Sequence, residues 1–342
     1  MQSPLVSIHL IVKDGEKYIR QCLEHVQKQT YPNIEFRVFD NASTDRTREI
    51  VKEIMPSAEI IRFPKNYILG GGFNRSLSWS RAPYVVGLCV DVMMAPDFIE
   101  RAVAVAEAHP TAGVVQAKVL RYDYEHAKVT SIIDTTGMQI FRSRRIINRG
   151  HGEEDTGQYN KAEEIFCYEG AVPFFRREAL EAIKMPKSKP DAEFPYEYLD
   201  EDFVWYADEL DLGWRLHHAG WMNWYDPTVL AAHDRQTTKK LSKGYRGFIE
   251  LRKTIPAFKR VLDWRNQRLA FLKNDYLSSV LKDVFFWLPR EMMMFGYFII
   301  FERTSLWAYI GMLRMAPLML RKRRAILKND KTNAGDIRKW FL

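Results

Sequence analysis

Short, mostly apolar runs alternate with segments of helical spacing over the N-terminal third of the chain, and this alternation limits the possible folds. Val6–Val12 is the first such run, and its composition is typical of a strand covered on both faces of a sheet. Strands that alternate with helices predict an α/β fold with a mostly parallel central sheet flanked by helices. Further strands are predicted over Ile34–Phe39, Ala58–Phe63 and Tyr84–Val90, and helices over Tyr18–Gln29, Ser43–Ile54 (with Ser43 or Thr44 as N-cap), Phe73–Ser80 and Asp97–Ala108.

Polar residues follow the predicted strands, where a parallel sheet binds its ligands. Asp14 follows the first strand, Asp40 ends the second, and Asn66 follows the third. A carboxylate such as Asp40 can accept hydrogen bonds from a base or a ribose. Gly70–Gly72 either allows the backbone to approach a ligand closely or forms a flexible loop. The row of polar strand ends predicts a nucleotide-binding crevice.

Asp91 follows the fourth apolar run, and His233 follows the apolar run Val229–Ala232 in the same manner. A carboxylate at such a strand end can bind a divalent cation that also bridges two phosphates. The alternative for Asp91 is a turn or N-cap aspartate. A lone histidine such as His233 is more often structural than a metal ligand, although imidazole is a common ligand.

Asp208, Glu209 and Asp211 form an acidic cluster among aromatic and apolar residues, with Arg215 one helical turn beyond Asp211. Repulsion between neighbouring carboxylates and their desolvation both raise the pKa of at least one of them, as a general base requires. The alternative is a helix whose first turn carries acids that favour its dipole, with an Asp211–Arg215 pair at i,i+4.

The composition favours a folded chain with anionic partners. Of the 342 residues 46% are hydrophobic, and the formal net charge is +8, which suits nucleotides or phospholipid headgroups. Nucleic-acid binding is not expected, because no recognised module for it occurs. Three widely spaced cysteines give neither a disulfide framework nor a zinc pattern. The N-terminus has no charged segment typical of a secretory signal, and a cytoplasmic location is expected.

The C-terminal region combines apolar segments with a basic run. Met292–Phe301 and Leu306–Leu320 are largely apolar, and Arg321–Arg324 follows directly. Apolar helices that end in a cationic cluster are typical of elements lying on an anionic membrane surface. The alternative is a soluble helical subdomain with a solvated basic end. We therefore predict a catalytic domain over residues 1–240 and a helical, membrane-associating region over 241–342.

Several segments, in order, resemble the family-2 glycosyltransferases, which are inverting enzymes with the GT-A fold. The resemblance spans about residues 5–240. Within the family, Asp134–Gly137 and Arg149–Gly152 look most like bacterial rhamnosyltransferases of cell-surface polysaccharide synthesis. The motifs that carry the family resemblance are Gln29–Glu35, Asp40–Asp45, Gly72–Arg75, Gly170-Ala171 with Arg176–Leu180, Asp200–Phe203 and Asp208–Leu212, the last followed by Arg215 and Gly220-Trp221.

The resemblance implies a transfer of a sugar from a nucleotide-diphosphate donor (dTDP-L-rhamnose or a UDP-sugar) to a saccharide or lipid-linked saccharide. It implies that Glu209, with Asp208 as the alternate, is the catalytic base. It also implies that Asp91 and His233 hold Mg²⁺ or Mn²⁺ near the donor diphosphate. An anionic membrane surface at the inner face of the cell membrane is the expected location, and an oligomer is possible. The implied nucleotide-binding residues are Val12, Asp14, Asp40, Asn66, Gly72 and Arg75.

Two departures from the family pattern affect these expectations. Cys89 stands where the first acid of the metal-binding Asp-x-Asp motif is expected, and Asp208-Glu209 inverts the usual Glu-Asp order. The cysteine also leaves a second hypothesis open, a nucleotide-binding scaffold subunit with a degraded metal site. The Gln-x-x-Arg-Trp motif of processive synthases is absent, so transfer of one or a few sugars is expected.

Overall fold

A computed structural model describes residues 3–235 and 244–342, with ten strands of this part of the chain joined in one sheet. The strand order is β10-β14-β6-β11-β4-β1-β2-β3, with β5 paired to β14 and β7 to β6. The remaining strands form two small two-stranded sheets, β8-β9 and β12-β13. The strands are β1 (Val6–Val12), β2 (Ile34–Asp40), β3 (Glu59–Arg62), β4 (Tyr84–Cys89), β5 (Val92–Met94), β6 (Ala112–Asp123), β7 (Lys128–Thr135), β8 (Met138–Ile140), β9 (Ile146–Asn148), β10 (Glu163–Ile165), β11 (Phe174–Arg176), β12 (Met185–Pro186), β13 (Tyr196–Glu197) and β14 (Met222–His233).

Strands β3, β2, β1 and β4 are parallel neighbours, which confirms the predicted α/β arrangement. All seven residues of β1 are buried, because helices cover both faces of the sheet. The register places Val12 beside Asp40 and Ile11 beside Cys89. The carboxyl ends of these strands therefore lie at one edge of the sheet, where Asp14, Asp40 and Asp91 follow.

Helices pack on both faces of the sheet and then form the C-terminal region. Helix α1 buries Ile19, Leu23 and Val26 on one side, the spacing that the sequence predicted. The helices are α1 (Ile19–Gln27), α2 (Thr47–Ile54), α3 (Ile68–Ser76), α4 (Phe98–Ala108), α5 (Arg177–Ile183), α6 (Asp208–His218), α7 (Gly244–Thr254), α8 (Ala257–Asn274), α9 (Leu277–Lys282), α10 (Val284–Phe301), α11 (Trp307–Lys328) and α12 (Ala334–Arg338), with short 3-10 turns at Leu77–Trp79, Glu201–Phe203 and Arg303–Leu306.

The start of α2 differs from the prediction. The helix begins at Thr47, and neither Ser43 nor Thr44 caps it. The backbone N–H of Ser43 donates to Asp40 Oδ1 (2.8 Å), and the Ser43 hydroxyl accepts from the Asp14 N–H (3.0 Å). Ser43 therefore ties the ends of two strands together, and the helix starts only after this turn.

Of the two alternatives for the three glycines, the flexible loop is wrong, because they lie inside α3. Helix α3 begins at Ile68, five residues before the predicted start. A Cβ on Gly72 would lie 2.9 Å from Ile11 Cγ2, and one on Gly70 would lie 3.2 Å from Asp208 Oδ2. Glycine thus lets α3 pack closely against β1 and against the start of α6.

The C-terminal helices are fastened to the rest of the chain by buried contacts. Leu269 and Ala270 of α8 belong to the same apolar cluster as Leu210 and Trp214 of α6. Lys273 of α8, which is fully buried, donates to both Asp200 and Asp211. The division into residues 1–240 and 241–342 stays a prediction, and its boundary lies outside the described residues.

Among the described residues, one helix, α10, is long and apolar enough to cross a membrane by length and composition alone. Only 11% of this segment is buried inside the protein. The basic run Arg321–Arg324, near the end of α11, is less exposed to solvent than predicted. Lys322 is buried, and Arg323 donates to the backbone oxygen of Leu272. Two of the four cations therefore face inward, because acids and carbonyl groups lie beneath α11.

Candidate active site

A cleft of about 730 Å³ opens at the carboxyl ends of β1 and β4. Helix α3 forms one side, the β8-β9 hairpin a second, and the segment Val204–Leu210 a third. Asp91, Asp208, Glu209 and His233 all line this cleft. The fold therefore brings together four predicted site residues that are separated by up to 142 positions in the sequence.

Glu209 lies in the first turn of α6, beside Asp208. Burial, followed by the charge of Asp208, raises the pKa of Glu209 well above its usual value. The predicted rise in the pKa of one clustered carboxylate is thus present. A carboxylate that holds a proton more tightly is a better general base at neutral pH.

Asp211 is held differently from Glu209. It accepts a hydrogen bond from Arg215 Nε at 2.9 Å and another from Lys273 Nζ at 2.8 Å. Burial alone would raise its pKa, but Lys273 and then Arg215 bring the pKa below the usual value. The Asp211–Arg215 pair expected at i,i+4 is present, and Asp211 serves the packing of α6 and α8.

The backbone that leads into α6 is strained. In the pre-α6 loop (Val204–Ala207), Val204, Tyr206 and Ala207 have φ angles of 68°, 71° and 62°. Left-handed backbone is unfavourable for residues with a side chain, above all for a β-branched one such as Val204. Strain of this kind persists only where the surroundings hold it in place, and it concentrates at functional sites.

Asn266 of α8 supplies that support. Its buried amide group donates to the backbone oxygens of Phe203, Trp205 and Tyr206 at 2.7–3.1 Å. One side chain of the C-terminal region thus fixes the loop that positions Asp208 and Glu209. The sequence did not identify Asn266, because a single amide within a helix resembles any other polar position.

Asp91 and His233 meet across the pairing of β5 with β14. His233 Nε2 lies 3.3 Å from Asp91 Oδ2, and His233 Nδ1 lies 3.0 Å from Asp134 Oδ2. Burial opposes protonation of His233, but Asp134 and Asp91 outweigh it and raise its pKa to about 9. In the protein without a metal, the imidazolium therefore bridges two carboxylates.

Asp134, behind the cleft, and Arg235, which lines it, extend this arrangement. Arg235 donates to Asp134 through Nε (2.8 Å) and to Glu169 Oε1 through Nη2 (2.7 Å). Asp134 is fully buried at the end of β7. A carboxylate that orients the second nitrogen of a histidine is the common support of a metal-binding imidazole. The sequence marked Asp134 only as part of a motif, since its partner is 99 positions away.

Asp91 and His233 suit one divalent cation. One carboxylate oxygen and one imidazole nitrogen leave room for the phosphate oxygens that Mg²⁺ usually takes as further ligands. Burial raises the pKa of Cys89 well above its usual value, and its Sγ lies 3.9 Å from the backbone oxygen of Gly170. The thiolate is the form that binds metals.

A second acidic group, Glu197, Asp200 and Asp202, has oxygens close enough together to hold a metal. The ammonium of Lys322 already lies among them, at 2.6, 2.6 and 2.8 Å. A cation of the protein itself therefore already occupies the space between these acids.

The predicted nucleotide-binding residues have several placements. Asp40 is fully buried, and its Oδ2 has no hydrogen bond within the described part of the chain, although Arg48 Nε lies 3.5 Å away. Asp14 lies next to it and accepts from the Thr44 N–H. Val12 is buried at the end of β1. These strand ends adjoin the cleft edge that Ile11 forms.

Asn66, Gly72 and Arg75 do not line the cleft. Asn66 Oδ1 accepts from the Ile68 N–H at the start of α3, and Gly72 packs against β1. Arg75 is buried and pairs with Asp191 and Glu201. In this structure the three residues support α3, so their contact with a nucleotide stays a prediction.

The fold has known counterparts. The chain is similar to the mannosyltransferase PcManGT from Pyrobaculum calidifontis, solved in complex with GDP-Man and Mn²⁺, with a TM-score of 0.51 and 16% identity over 98% of this chain and 86% of that one. A likeness at this identity shows the fold, which is the GT-A arrangement. Residues 7–184, more than half of the chain, match the model of glycosyl transferase family 2, and the chain belongs to this family.

Two curated relatives match over shorter stretches. Glycosyltransferase GlyG of Streptococcus pneumoniae is 31% identical over 101 residues, which are 29% of this chain and 34% of that protein. Chondroitin synthase of Escherichia coli is 33% identical over 99 residues, which are 28% of this chain and 14% of that protein. The chain thus spans about a third or less of the length of these relatives. The matched names contain no rhamnosyltransferase.

Proposed function

We propose that this protein transfers a glycosyl group from a nucleotide-diphosphate sugar to a saccharide or lipid-linked saccharide, with inversion, in the synthesis of a cell-surface polysaccharide. One observation carries the proposal: Glu209, with its raised pKa, faces the same cleft as Asp91 and His233. A base and a cation-binding pair in one cleft are the two halves that a single-displacement transfer needs.

In the proposed reaction Glu209 accepts the proton of an acceptor hydroxyl while that oxygen bonds to the anomeric carbon. The bond from this carbon to the diphosphate breaks on the opposite face, and its electron pair leaves with the nucleotide diphosphate. Mg²⁺ or Mn²⁺ held by Asp91 and His233 would offset the charge on this leaving group. Attack opposite the leaving group inverts the anomeric carbon.

Asp208 and Glu209 have different surroundings, which supports Glu209 as the base. Asp208 Oδ2 faces the glycines in the first turn of α3, 3.2 Å from the position of a Cβ on Gly70. Glu209 lies near Gly170 on the other side of the cleft. We therefore assign proton transfer to Glu209 and a supporting charge to Asp208.

The test measures release of nucleotide diphosphate from dTDP-L-rhamnose, UDP-glucose, UDP-N-acetylglucosamine and GDP-mannose, with and without Mn²⁺. Glu209→Gln should lower the rate by about 10²- to 10⁴-fold, the usual contribution of a general base. Glu178→Gln, an exposed glutamate in the first turn of α5, is the matched control. If Glu209→Gln and Asp208→Asn both keep wild-type rates, the proposed base is wrong.

The same panel addresses the donor and the scaffold alternative. dTDP-L-rhamnose is the proposed donor, with a UDP-sugar as the alternative. The choice of dTDP-L-rhamnose is supported only by the Asp134–Gly137 and Arg149–Gly152 motifs. Binding of nucleotide by calorimetry without turnover of any donor would favour a scaffold subunit.

We also propose that α9, α10 and α11 lie on the anionic inner face of the cell membrane. Several large apolar side chains of these helices are exposed to solvent, which is unusual for a surface without a partner. Arg321 and Arg324 remain exposed beside them. The exposed apolar side chains include Leu277, Leu281, Phe285, Met292, Ile300, Phe301, Trp307 and Leu313.

Flotation with phosphatidylglycerol vesicles tests the membrane proposal. Phe285→Asp together with Ile300→Asp should abolish flotation, because charges at an apolar interface are costly. Val129→Asp, an exposed apolar residue of β7, is the control. A different outcome would be that the wild-type protein does not float but sediments as a dimer, and that the double variant sediments as a monomer. That outcome would show that a second copy of the chain covers this face.

A further inference from the structure

Helix α8 contributes two polar side chains, Asp263 and Gln267, to the wall of the cleft. Of the described residues beyond Arg235, only these two line it. They lie outside the stretch that matches the family model. This part of the cleft is therefore particular to the C-terminal region of this chain.

Asp263 has hydrogen-bonding capacity to spare. Its Oδ1 accepts from Gln267 Nε2 at 2.8 Å, and its Oδ2 has no partner within the described residues. Burial raises its pKa. Three cations lie near it: Arg268 pairs with Glu291 at 2.6 Å, Arg252 pairs with Glu302 at 2.6 Å, and Arg290 lies 3.6 Å from Glu291. A half-buried carboxylate with one neutral partner has one oxygen available for a ligand.

Gln267 complements this oxygen. Its Nε2 carries two protons, of which one is donated to Asp263, and its Oε1 accepts from Arg268 Nη1 at 3.3 Å. A free acceptor and a free donor thus lie side by side, one helical turn apart on α8. Two neighbouring hydroxyl groups of a sugar, one donating and one accepting, match this pair.

Trp205 and Tyr206 connect this pair to the base. Their rings stack with centroids 5.5 Å apart and an interplanar angle of 10°. Burial, Asp263 and Glu209 together raise the pKa of Tyr206 to about 12, so Tyr206 lies within electrostatic reach of both carboxylates. Trp205 is 37% exposed and lines the cleft, with Tyr206 stacked on its ring and the Lys259 ammonium 4.4 Å from the ring centroid. Aromatic walls with a few placed polar groups are typical of sites for small polar ligands.

We propose that Asp263 and Gln267 form the acceptor subsite beside Trp205 and hold two neighbouring hydroxyls of the acceptor sugar. The inference rests on the proposed function and names the part of the protein that selects the acceptor. An acceptor held there lies beside Trp205 and Tyr206, which lead to Glu209.

The experiment measures binding of four probes to the wild-type protein saturated with UDP or dTDP and Mn²⁺, by saturation-transfer NMR. The probes are the octyl glycosides of glucose, galactose, N-acetylglucosamine and rhamnose. Asp263→Asn and Gln267→Ala should each weaken binding of the bound probe at least tenfold while nucleotide affinity stays within twofold. Asp97→Asn, an acid of the α4 N-terminus far from the cleft, should change neither quantity.

The outcomes separate the two proposals. Nucleotide binding with no bound glycoside, or a glycoside bound equally by the variants, overturns the acceptor subsite and leaves the proposed function in place. Absence of nucleotide binding by the wild-type protein overturns the proposed function.

Discussion

Replacing Lys322 by methionine tests whether an ammonium group from α11 neutralises three acids beside the cleft. Lys322 Nζ donates to Glu197, Asp200 and Asp202, and the first two of these carboxylates are buried. The acids precede the pre-α6 loop. Loss of this contact therefore acts on the stability of the fold and on the geometry of the loop together.

The loss of stability in Lys322→Met depends on which of the three acids are left without a cation. Asp200 keeps Lys273 at 2.7 Å, and Asp202 keeps the Ser188 hydroxyl at 2.7 Å and some contact with solvent. Glu197, which is 1% exposed, loses its only cation within the described residues. Breaking a buried ion pair on one side costs about 3–5 kcal/mol, so the melting temperature should fall by several degrees.

The effect should depend on pH. In the wild-type protein, burial and then Asp200 raise the pKa of Glu197 to about 7, against the opposing effect of Lys322. Without Lys322 the pKa rises further, whereas an unfolded glutamate titrates near about 4.3. The folded variant then binds more protons than the unfolded chain, so its stability falls as the pH rises above about 4.3. The loss relative to wild type should be larger at pH 8 than at pH 5.

Calcium provides an independent check. The three acids lie close enough together to hold a cation, and the ammonium that fills the space is gone in Lys322→Met. At ten to a hundred times its Kd, Ca²⁺ would restore about 1.4–2.7 kcal/mol. Thermal unfolding at pH 5 and pH 8, with and without Ca²⁺, measures these effects. Lys328→Met, an exposed lysine at the end of α11, is the control. Stability equal to wild type at both pH values would refute this account of the cluster.

Three further predictions concern the cleft. Asn266→Leu leaves the carbonyl groups of the pre-α6 loop without their hydrogen-bond donor. In single-turnover assays kcat should fall about tenfold or more, while the affinity for the nucleotide is unchanged. An unchanged kcat would show that Asn266 does not position the loop. The acid limb of the kcat/KM profile should lie above the usual range of a glutamate, about 4.3, because Glu209 acts ionised and its pKa is raised. Asp208→Asn should shift that limb to lower pH, and an unshifted limb would exclude Glu209 as the titrating group. Asp134→Asn should weaken Mn²⁺ binding about 10- to 100-fold, as for other supports of metal-binding histidines, measured by calorimetry; unchanged affinity would show that Asp134 does not orient His233.

The predictions about single helices and strands that the structure confirms depended on the spacing of residues within those elements. The burial of β1 and the apolar face of α1 follow from periodicity alone, and so does the i,i+4 pair of Asp211 with Arg215. The predictions that were wrong depended on partners far away in the sequence. Ser43 does not cap α2, because its hydroxyl is taken by the Asp14 backbone. Gly70–Gly72 is helical, because β1 and Asp208 lie against it.

Half of the basic run was misjudged for the same reason. Its charges suggested a membrane-facing surface, but Lys322 lies under α11 among acids of the Glu197–Asp202 segment. The sequence pattern shows which residues of the run are charged. It does not show which of them face charged groups inside the protein and which face solvent.

The sequence by itself determined the α/β class, the edge of the sheet where the cleft opens and the identity of the acids that lie there. Those properties follow from hydrophobic spacing and from the order of strands along the chain. Only the tertiary structure decided how the acids differ. Glu209 is half-buried beside a like charge, Asp211 is paired with two cations, and Glu197 shares a lysine from α11. A carboxylate's pKa depends on the charges and solvent around it, and those neighbours come from segments that meet only in the folded chain.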